Sequence, residues 1–289
     1  MRTVSKKKAE TLPAQRETAP PPAVHDPKRF RRFGNVGIKD MEIPTLALLQ
    51  KMSKVLEQDH SLRAGSFYHS ILEQDLGREL AEVVVLLVHH SVVLKTPKDP
   101  RGGLPQILAR AADGHNWDKP NTRFEVVYPG GRKGEYFTGK NVQHSGLMEW
   151  GSSDPENRQS VPAASDVYTV ILRLLNPAVP GPVIYTGSVT TNRKIRELNS
   201  KVDLRALGGV EPLRQIYTLS AEEKQGAQGG IWYVPNFAPN GELPEGDPRF
   251  DEYMAQAERL DALYPSIKAV GAEPLDDEIP AAGANNRAF

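Results

Sequence analysis

Cationic and aromatic side chains alternate through residues 95–150, a composition typical of surfaces that bind single-stranded nucleic acid. Lys and Arg neutralise phosphates, and an aromatic face stacks on a base with about 1–3 kcal/mol. The candidate nucleic-acid-binding set is Lys95, Arg110, Trp117, Arg123, Tyr128, Arg132, Lys133, Tyr136, Phe137, Lys140 and Trp150. The alternative is that Phe124, Tyr128 and Trp150 are core residues and the cations form a solvated face.

Two further segments carry concentrated charge. Residues 1–33 hold nine Lys or Arg and three acids, a net charge of +6, and residues 28–33 interleave four cations with two phenylalanines. This basic arm suits a phosphate backbone, although a flexible arm that contacts nothing specific has the same composition. Residues 242–289 hold eleven acids against four cations, a net charge of −7.

The acidic end includes a compact cluster that could bind partner proteins. The candidate residues are Asp276, Asp277, Glu278, Ile279 and Phe289. An anionic tail competes with DNA for a basic groove, and an apolar tip can dock into a partner enzyme. We therefore expect residues 273–289 to inhibit DNA binding and to recruit replication or recombination enzymes.

Motifs for other chemistries are missing from the sequence. It holds no phosphate-binding loop, no dinucleotide fingerprint, no nucleophile elbow and no cysteine, so we predict no cofactor, no metal and no catalytic residue. The neighbouring His89 and His90 would point to opposite faces of a strand, which disfavours a shared metal. A metal-dependent enzyme that binds Mg²⁺ through Asp113, Glu125 and Glu135 is kept as an alternative.

Composition excludes two broad classes. The 289 residues are 39% hydrophobic, which is too apolar for a wholly disordered chain. The longest apolar run, residues 83–88, is far short of the roughly 20 residues that span a bilayer. The first 24 residues lack the apolar stretch of a secretory signal. We expect a cytoplasmic protein, in the host cytoplasm if it is viral, with no membrane partner.

Hydrophobic periodicity then predicts the elements that would position these residues. We expect a short helix after Pro44, because Leu46, Leu49, Val55 and Leu56 recur at helical spacing. The Val-rich stretch 80–94 predicts a long strand that bends. Further predicted strands are 66–72, 106–111, 122–128, 166–175, 183–189, 213–220 and 230–237, the last two as an antiparallel pair. Residues 96–160 should otherwise form long loops.

Two longer helices complete the predicted elements. One runs from Thr191 or Asn192 to about Ala206 and is basic on its outer surface, and the other runs from about Pro248 to Tyr264. The predicted organisation is a disordered basic arm at 1–33, a single β-rich nucleic-acid-binding domain at 34–264 and an acidic flexible tail at 265–289. No pattern determines whether the chain forms a homo-oligomer.

The order of short segments resembles a group of tailed-bacteriophage proteins associated with single-stranded-DNA binding. The resemblance lies in segments 43–50, 63–68, 76–85 and 230–237, and the acidic end is similar to the tails of bacterial and phage single-stranded-DNA-binding proteins. It implies an OB-like barrel. Some members carry cysteines in the region corresponding to 105–160, and this chain has none.

Together these observations predict an α+β fold, dominated by an antiparallel OB-like barrel or twisted sheet with long loop insertions and two or three flanking helices. The predicted function is sequence-independent binding of single-stranded DNA in phage replication, recombination or repair. A virion or assembly protein is the alternative, and the metal-dependent DNA-processing enzyme is the second alternative.

Overall fold

The structure is a computed structural model of the chain. It describes residues 43–97, 105–187, 190–226, 229–263 and 269–270. The chain divides into two units, Met1–Met41 and Glu42–Phe289, and all described residues belong to the second. The basic arm at 28–33 and the tail residues 273–289 lie outside the described residues, so the predictions for both segments and for the domain boundaries stay predictions.

Strands dominate the described part of the chain. The strands are β1 (Ile43–Pro44), β2 (Leu46–Leu48), β3 (Phe67–His69), β4 (Gln74–Asp75), β5 (Glu79–Lys95), β6 (Ile107–Ala111), β7 (Arg123–Val127), β8 (Lys133–Phe137), β9 (Ala164–Asn176), β10 (Ala178–Gly187), β11 (Gln215–Gln225), β12 (Ile231–Glu242) and β13 (Ala269–Val270). The helices are α1 (Lys54–Gln58), α2 (Asn192–Leu207) and α3 (Pro248–Leu263), with a 3-10 turn at Pro212–Arg214. None of these described helices is long and apolar enough to cross a bilayer.

The main sheet is antiparallel and is built around β5. Its strand order is β10-β9-β5-β11-β12, and β6 pairs with the far end of β5. The Val-rich sequence of β5 favours a strand because β-branched side chains pack well on a pleated surface. A bulge between Val85 and Leu87 interrupts its pairing with β9 and bends the strand. The predicted long strand is therefore confirmed.

The main sheet is open, and the described residues form no closed barrel. Its edge strands β10 and β12 do not pair with each other. One side of β5 pairs with β11 up to Val84 and with β6 only from Val92 onward, so the sheet divides along β5 instead of closing. The structure thus shows a mixed α+β fold with mostly antiparallel sheets, and it does not confirm the OB-like barrel.

Helices and a small sheet cover the two faces of the main sheet. On one face, Ile195 and Leu198 of α2 and Leu46 and Phe67 of the β2-β3-β4 sheet share a hydrophobic core with the sheet. On the other face, α3 contributes Tyr253 and Leu260 to a separate core. Burial of these apolar side chains fixes both helices against the sheet.

One local prediction was wrong in part and another entirely. Val55 and Leu56 lie in helix α1 as predicted, but Leu46 lies on strand β2 and the helix begins only at Lys54, because alternate residues of the earlier segment face the core. Residues 133–137 form strand β8, which pairs with β7 as a hairpin, where a loop was expected. The strand begins with lysine and glycine, which are uncommon in strands. For this reason the sequence does not show the alternation of exposed and buried positions that the structure has.

Residues 105–163 form a lobe with its own hydrophobic core at the far end of β5. The lobe contains β6, the β7–β8 hairpin and a series of turns. Val92 and Leu94 of β5 pack there against Trp117, Tyr136 and Leu147. The region predicted as long loops is thus a packed subdomain as far as the structure describes it.

Candidate nucleic-acid interface

Three of the predicted phosphate-binding cations are exposed on the lobe. Arg110, Lys133 and Lys140 are accessible to solvent, and none of them pairs with a carboxylate among the described residues. Lys95, at the end of β5, is partly buried. An exposed cation without an acidic partner is available to an external anion, so these three side chains can still contact phosphate.

The other two predicted cations have acidic partners within the lobe. Arg123 forms an ion pair with Glu135 and lies 5.3 Å from the centre of the Phe137 ring. Arg132 forms ion pairs with Asp154 and Glu156. Their charge is already compensated, which lowers their value as phosphate ligands. The lobe as a whole holds seven Lys or Arg and seven Asp or Glu, so it carries no net charge.

Three of the five predicted stacking residues belong to the core of the lobe. Trp117, Tyr128 and Tyr136 are 4%, 5% and 2% exposed, so they cannot present a ring face to a base while the lobe is folded. Burial also raises the pKa of the Tyr136 phenol, whose O–H donates to the Ser153 carbonyl at 2.9 Å. The core alternative fits Tyr128 and the partly buried Phe124, but it does not fit Trp150, which is 68% exposed.

The remaining two predicted aromatic residues are exposed. Phe137 is 43% exposed on the outer face of the β7–β8 hairpin, and Trp150 is 68% exposed in a turn. A large aromatic side chain left in water is available for stacking or for contact with another protein. The stacking role of these two residues stays a prediction.

The three acids of the enzyme alternative do not form one cluster. Glu125 and Glu135 lie directly opposite each other on the exposed face of the hairpin. The Asp113 carboxylate instead accepts hydrogen bonds from the backbone N–H groups of His115 and Asn116 and from the Asn116 side chain. These hydrogen bonds lower its pKa to about 2. Among the described residues, no three potential ligands are grouped as a metal site would require.

The two neighbouring histidines face different elements, as the strand geometry predicts. The His89 Nε2 lies 3.4 Å from Asp261 Oδ1 of α3, and burial lowers the pKa of His89. The His90 Nε2 lies 2.7 Å from Asp166 Oδ1 of β9 on the opposite face. Each histidine thus has its own carboxylate partner.

His90 is the centre of a polar cluster that we call the polar junction, formed by His90, Asp166, Tyr168, Asn192 and Arg196. The His90 and Tyr168 rings are stacked, with centroids 4.8 Å apart and planes inclined by 29°. Asn192 Nδ2 donates to the Asp166 backbone carbonyl at 2.8 Å and so fixes the start of α2 beside the histidine.

Gly114 lets the lobe approach the polar junction closely. A Cβ atom added at Gly114 would lie 2.6 Å from His90 Nδ1, so only glycine fits between this turn and the imidazole. Its φ of +73° also favours glycine. His90 thus lies against the Gly114 turn of the lobe, and its partner Asp166 connects it to Asn192 at the start of α2.

The start of α2 holds three cations, of which Lys194 forms ion pairs with Glu197 and Glu222. The first turn of the helix carries no acid and holds Arg193 and Lys194, and helix N-termini carry a partial positive charge. Arg193 is 84% exposed, with its Nε 3.1 Å from Glu197. Burial and the nearby Asp166 carboxylate raise the pKa of Tyr168. The exposed Arg196 guanidinium partly opposes this rise.

The cations farther along α2 have structural partners. The Lys201 ammonium donates to the Phe237 carbonyl, and Arg205 donates to the Gly241 carbonyl at 2.7 Å. These bonds fasten the helix to β12. The predicted basic surface of α2 is therefore available to a ligand mainly at its first two turns, where Arg193 and Arg196 lie.

The polar junction was not predicted as a site, because its members are distant in sequence. His90 and Asp166 are 76 residues apart, and no local motif connects them to Asn192. Two signals were present in the sequence. The sequence contains the histidine doublet and the cations of α2, but nothing in it indicates that the two lie close together.

Comparison with known proteins identifies the family and leaves its activity undefined. Residues 14–264 match the model of a family described as Pam3 phage gp34-like protein. No curated protein matches the chain, and no solved structure matches it. The match covers most of the 289 residues, and the chain belongs to this family of bacteriophage proteins.

Proposed function

We propose that this phage protein binds single-stranded DNA without sequence preference during replication, recombination or repair. The observation that carries the proposal is the stacked pair of His90 and Tyr168 near the exposed Arg196, which forms no ion pair with a described residue. Guanidinium groups bind phosphates, and a partly exposed aromatic ring stacks on a base. Binding would begin at the start of α2 and continue onto the lobe.

The lobe would extend this interface with the predicted residues that remain accessible. Arg110, Lys133 and Lys140 would contact phosphates, and Phe137 and Trp150 would stack on bases. The buried Trp117, Tyr128 and Tyr136 have no direct role in this proposal. Outside the described residues, the arm at 28–33 would add affinity, and removal of residues 273–289 would tighten binding at low salt.

Fluorescence anisotropy of a labelled fifteen-residue oligothymidine, measured from low to high salt, tests the proposal. We expect binding that weakens steeply with salt and resists competition by duplex DNA. Arg193→Glu with Arg196→Glu should weaken binding by at least about tenfold and reduce the salt slope by about 1–2, because each lost phosphate contact on a single strand removes roughly 0.7 from it. Arg259→Glu, an exposed cation on α3, is the matched control. Absence of binding at low salt would refute the proposal.

A role in virion assembly is the second candidate, favoured by the surface of the lobe. The lobe has no net charge, and Val127, Trp150 and Val161 are each more than half exposed. Exposed apolar side chains on a neutral surface are typical of protein interfaces. Light scattering of the protein without DNA distinguishes the two functions. A stable oligomer that Trp150→Ser dissociates, with no DNA binding, would support assembly.

A further inference from the structure

Along one side of strand β5, a stretch at the centre of the fold pairs with no described strand. One side of the strand pairs with β9 along nearly its whole length. The other side pairs with β11 at residues 79–84 and with β6 at residues 92–95, and no described strand pairs with residues 85–91 there. Alternate residues of this stretch therefore point backbone N–H and C=O groups toward a gap in the sheet.

A cavity of about 260 Å³ lies at one end of this gap. Residues 85–88 of β5 form one side, Asn199 and Val202 of α2 form a second, and Pro212 and Leu213 form a third. The lining is aliphatic except for the Asn199 amide, which makes no hydrogen bond to a described residue, and for the strand backbone. The cavity thus combines apolar walls with the Asn199 amide and with backbone groups that no described strand pairs.

The cavity is adjacent to the polar junction. Val88 lines the cavity, and His90 follows two residues later on the same face of β5. Asn199 lines it from α2, and Arg196 lies one turn earlier on the same helix. A ligand in the cavity would therefore have a guanidinium group and the His90–Tyr168 stack close to one end.

We propose that this cavity binds one unstacked nucleobase of the single strand, an inference that rests on the proposed function. A base is flat and largely apolar on its faces, which suits the aliphatic walls, and its edge carries hydrogen-bonding groups that suit the strand backbone and Asn199. Its phosphates would lie toward Arg196 and Arg193. The apolar cavity and the neighbouring cations would thus bind the base and the phosphate of one nucleotide, respectively.

An extended peptide added to β5 is the competing occupant, since an unpaired strand edge can accept another strand. The structure favours the nucleotide because the exposed Arg196 lies one helical turn from Asn199, at one end of the cavity, where a phosphate would bind. The two occupants differ in a measurable way. Binding of a nucleotide requires both the cavity and the arginines, whereas binding of a peptide to the strand edge does not require the arginines.

The test compares oligothymidine with an abasic oligodeoxyribose phosphate of the same length. Val202→Phe fills the cavity, whereas Leu204→Phe adds the same ring on the outer face of α2, where Leu204 is 68% exposed. We expect Val202→Phe to weaken oligothymidine binding by about tenfold and to leave abasic binding unchanged, with Leu204→Phe like the wild type. Asn199→Leu provides a second variant if Val202→Phe does not fold.

Each outcome separates the inference from the proposed function. If the wild type binds neither oligonucleotide, the proposed function fails, and the base site fails with it. If the wild type binds oligothymidine and both cavity variants bind it equally well, only the base site is refuted. An oligonucleotide with one 2-aminopurine provides an independent readout, because its fluorescence should rise on binding to the wild type and not to Val202→Phe.

Discussion

The side-chain amide of Gln50 forms two hydrogen bonds with the backbone of Tyr233. Its Nε2 donates to the Tyr233 carbonyl at 3.0 Å, and its Oε1 accepts from the Tyr233 N–H at 2.9 Å. Tyr233 lies on the edge strand β12, so the amide satisfies backbone groups that a neighbouring strand would otherwise pair. Thr45 forms a bridge with Ile184 of β10, and the segment from Thr45 to Gln50 therefore contacts both edges of the main sheet.

Replacing Gln50 tests the contribution of this pair to stability. Gln50→Ala should lower the free energy of unfolding by about 1–3 kcal/mol, because two hydrogen bonds are lost. Gln50→Glu should cost more at neutral pH, since its second oxygen would face the Tyr233 carbonyl. Urea denaturation measures both effects, with the exposed Lys51→Ala as the control. Equal stability of Gln50→Ala and Lys51→Ala would show that the pair contributes nothing.

Long elements with strong periodicity were predictable from the sequence. The strand around residues 80–94, helix α2 and the antiparallel pair of β11 and β12 lie close to their predicted bounds. Their hydrophobic pattern repeats over many residues, so one atypical residue does not hide it. The connection between these elements was not predictable, because the choice of partners along β5 depends on a bulge and on distant strands.

The lobe shows the opposite case. Its strands are five residues long, and its core combines residues from several turns with the end of β5. A mixture of cations and aromatic residues looks the same in sequence whether the rings are buried or exposed. The structure separates them, with Tyr136 buried and its neighbour Phe137 exposed.

This neighbouring pair provides a test of the two roles. Tyr136→Ala should destabilise the protein by about 3–5 kcal/mol, because it empties part of the lobe core. Phe137→Ala should change stability by less than about 1 kcal/mol, since the ring is partly in solvent. Thermal or urea unfolding gives both values. Weaker oligonucleotide binding by Phe137→Ala, with unchanged stability, would support the stacking role. A large loss of stability would instead mean that Phe137 contributes to the hydrophobic core.

Gly114 provides a test of the polar junction. Gly114→Ala should cost about 2–4 kcal/mol, because it combines a left-handed backbone conformation with a contact that displaces His90. Gly146→Ala is the matched control, since its φ is +66° and no atom lies within 4 Å of the added Cβ. The control should cost only the backbone strain, about 1–2 kcal/mol. Equal costs in urea denaturation would mean that His90 moves aside freely.

Asp113 should make the stability of the same turn depend on pH. Hydrogen bonds from Asn116 and His115 lower its pKa from 3.8 to about 2 in the folded protein. A carboxylate whose pKa is lower in the folded state stabilises the protein above the unfolded pKa, and this contribution is lost as the pH falls from about 4 to 2. Asp113→Asn cannot ionise at this position. The difference between the urea midpoints of the wild type and Asp113→Asn should therefore become smaller as the pH falls from about 4 to 2. Asp203→Asn, which removes an exposed carboxylate from α2, controls for net charge. If the difference between Asp113→Asn and the wild type stays constant from pH 5 to pH 2, the ionised carboxylate does not stabilise this turn.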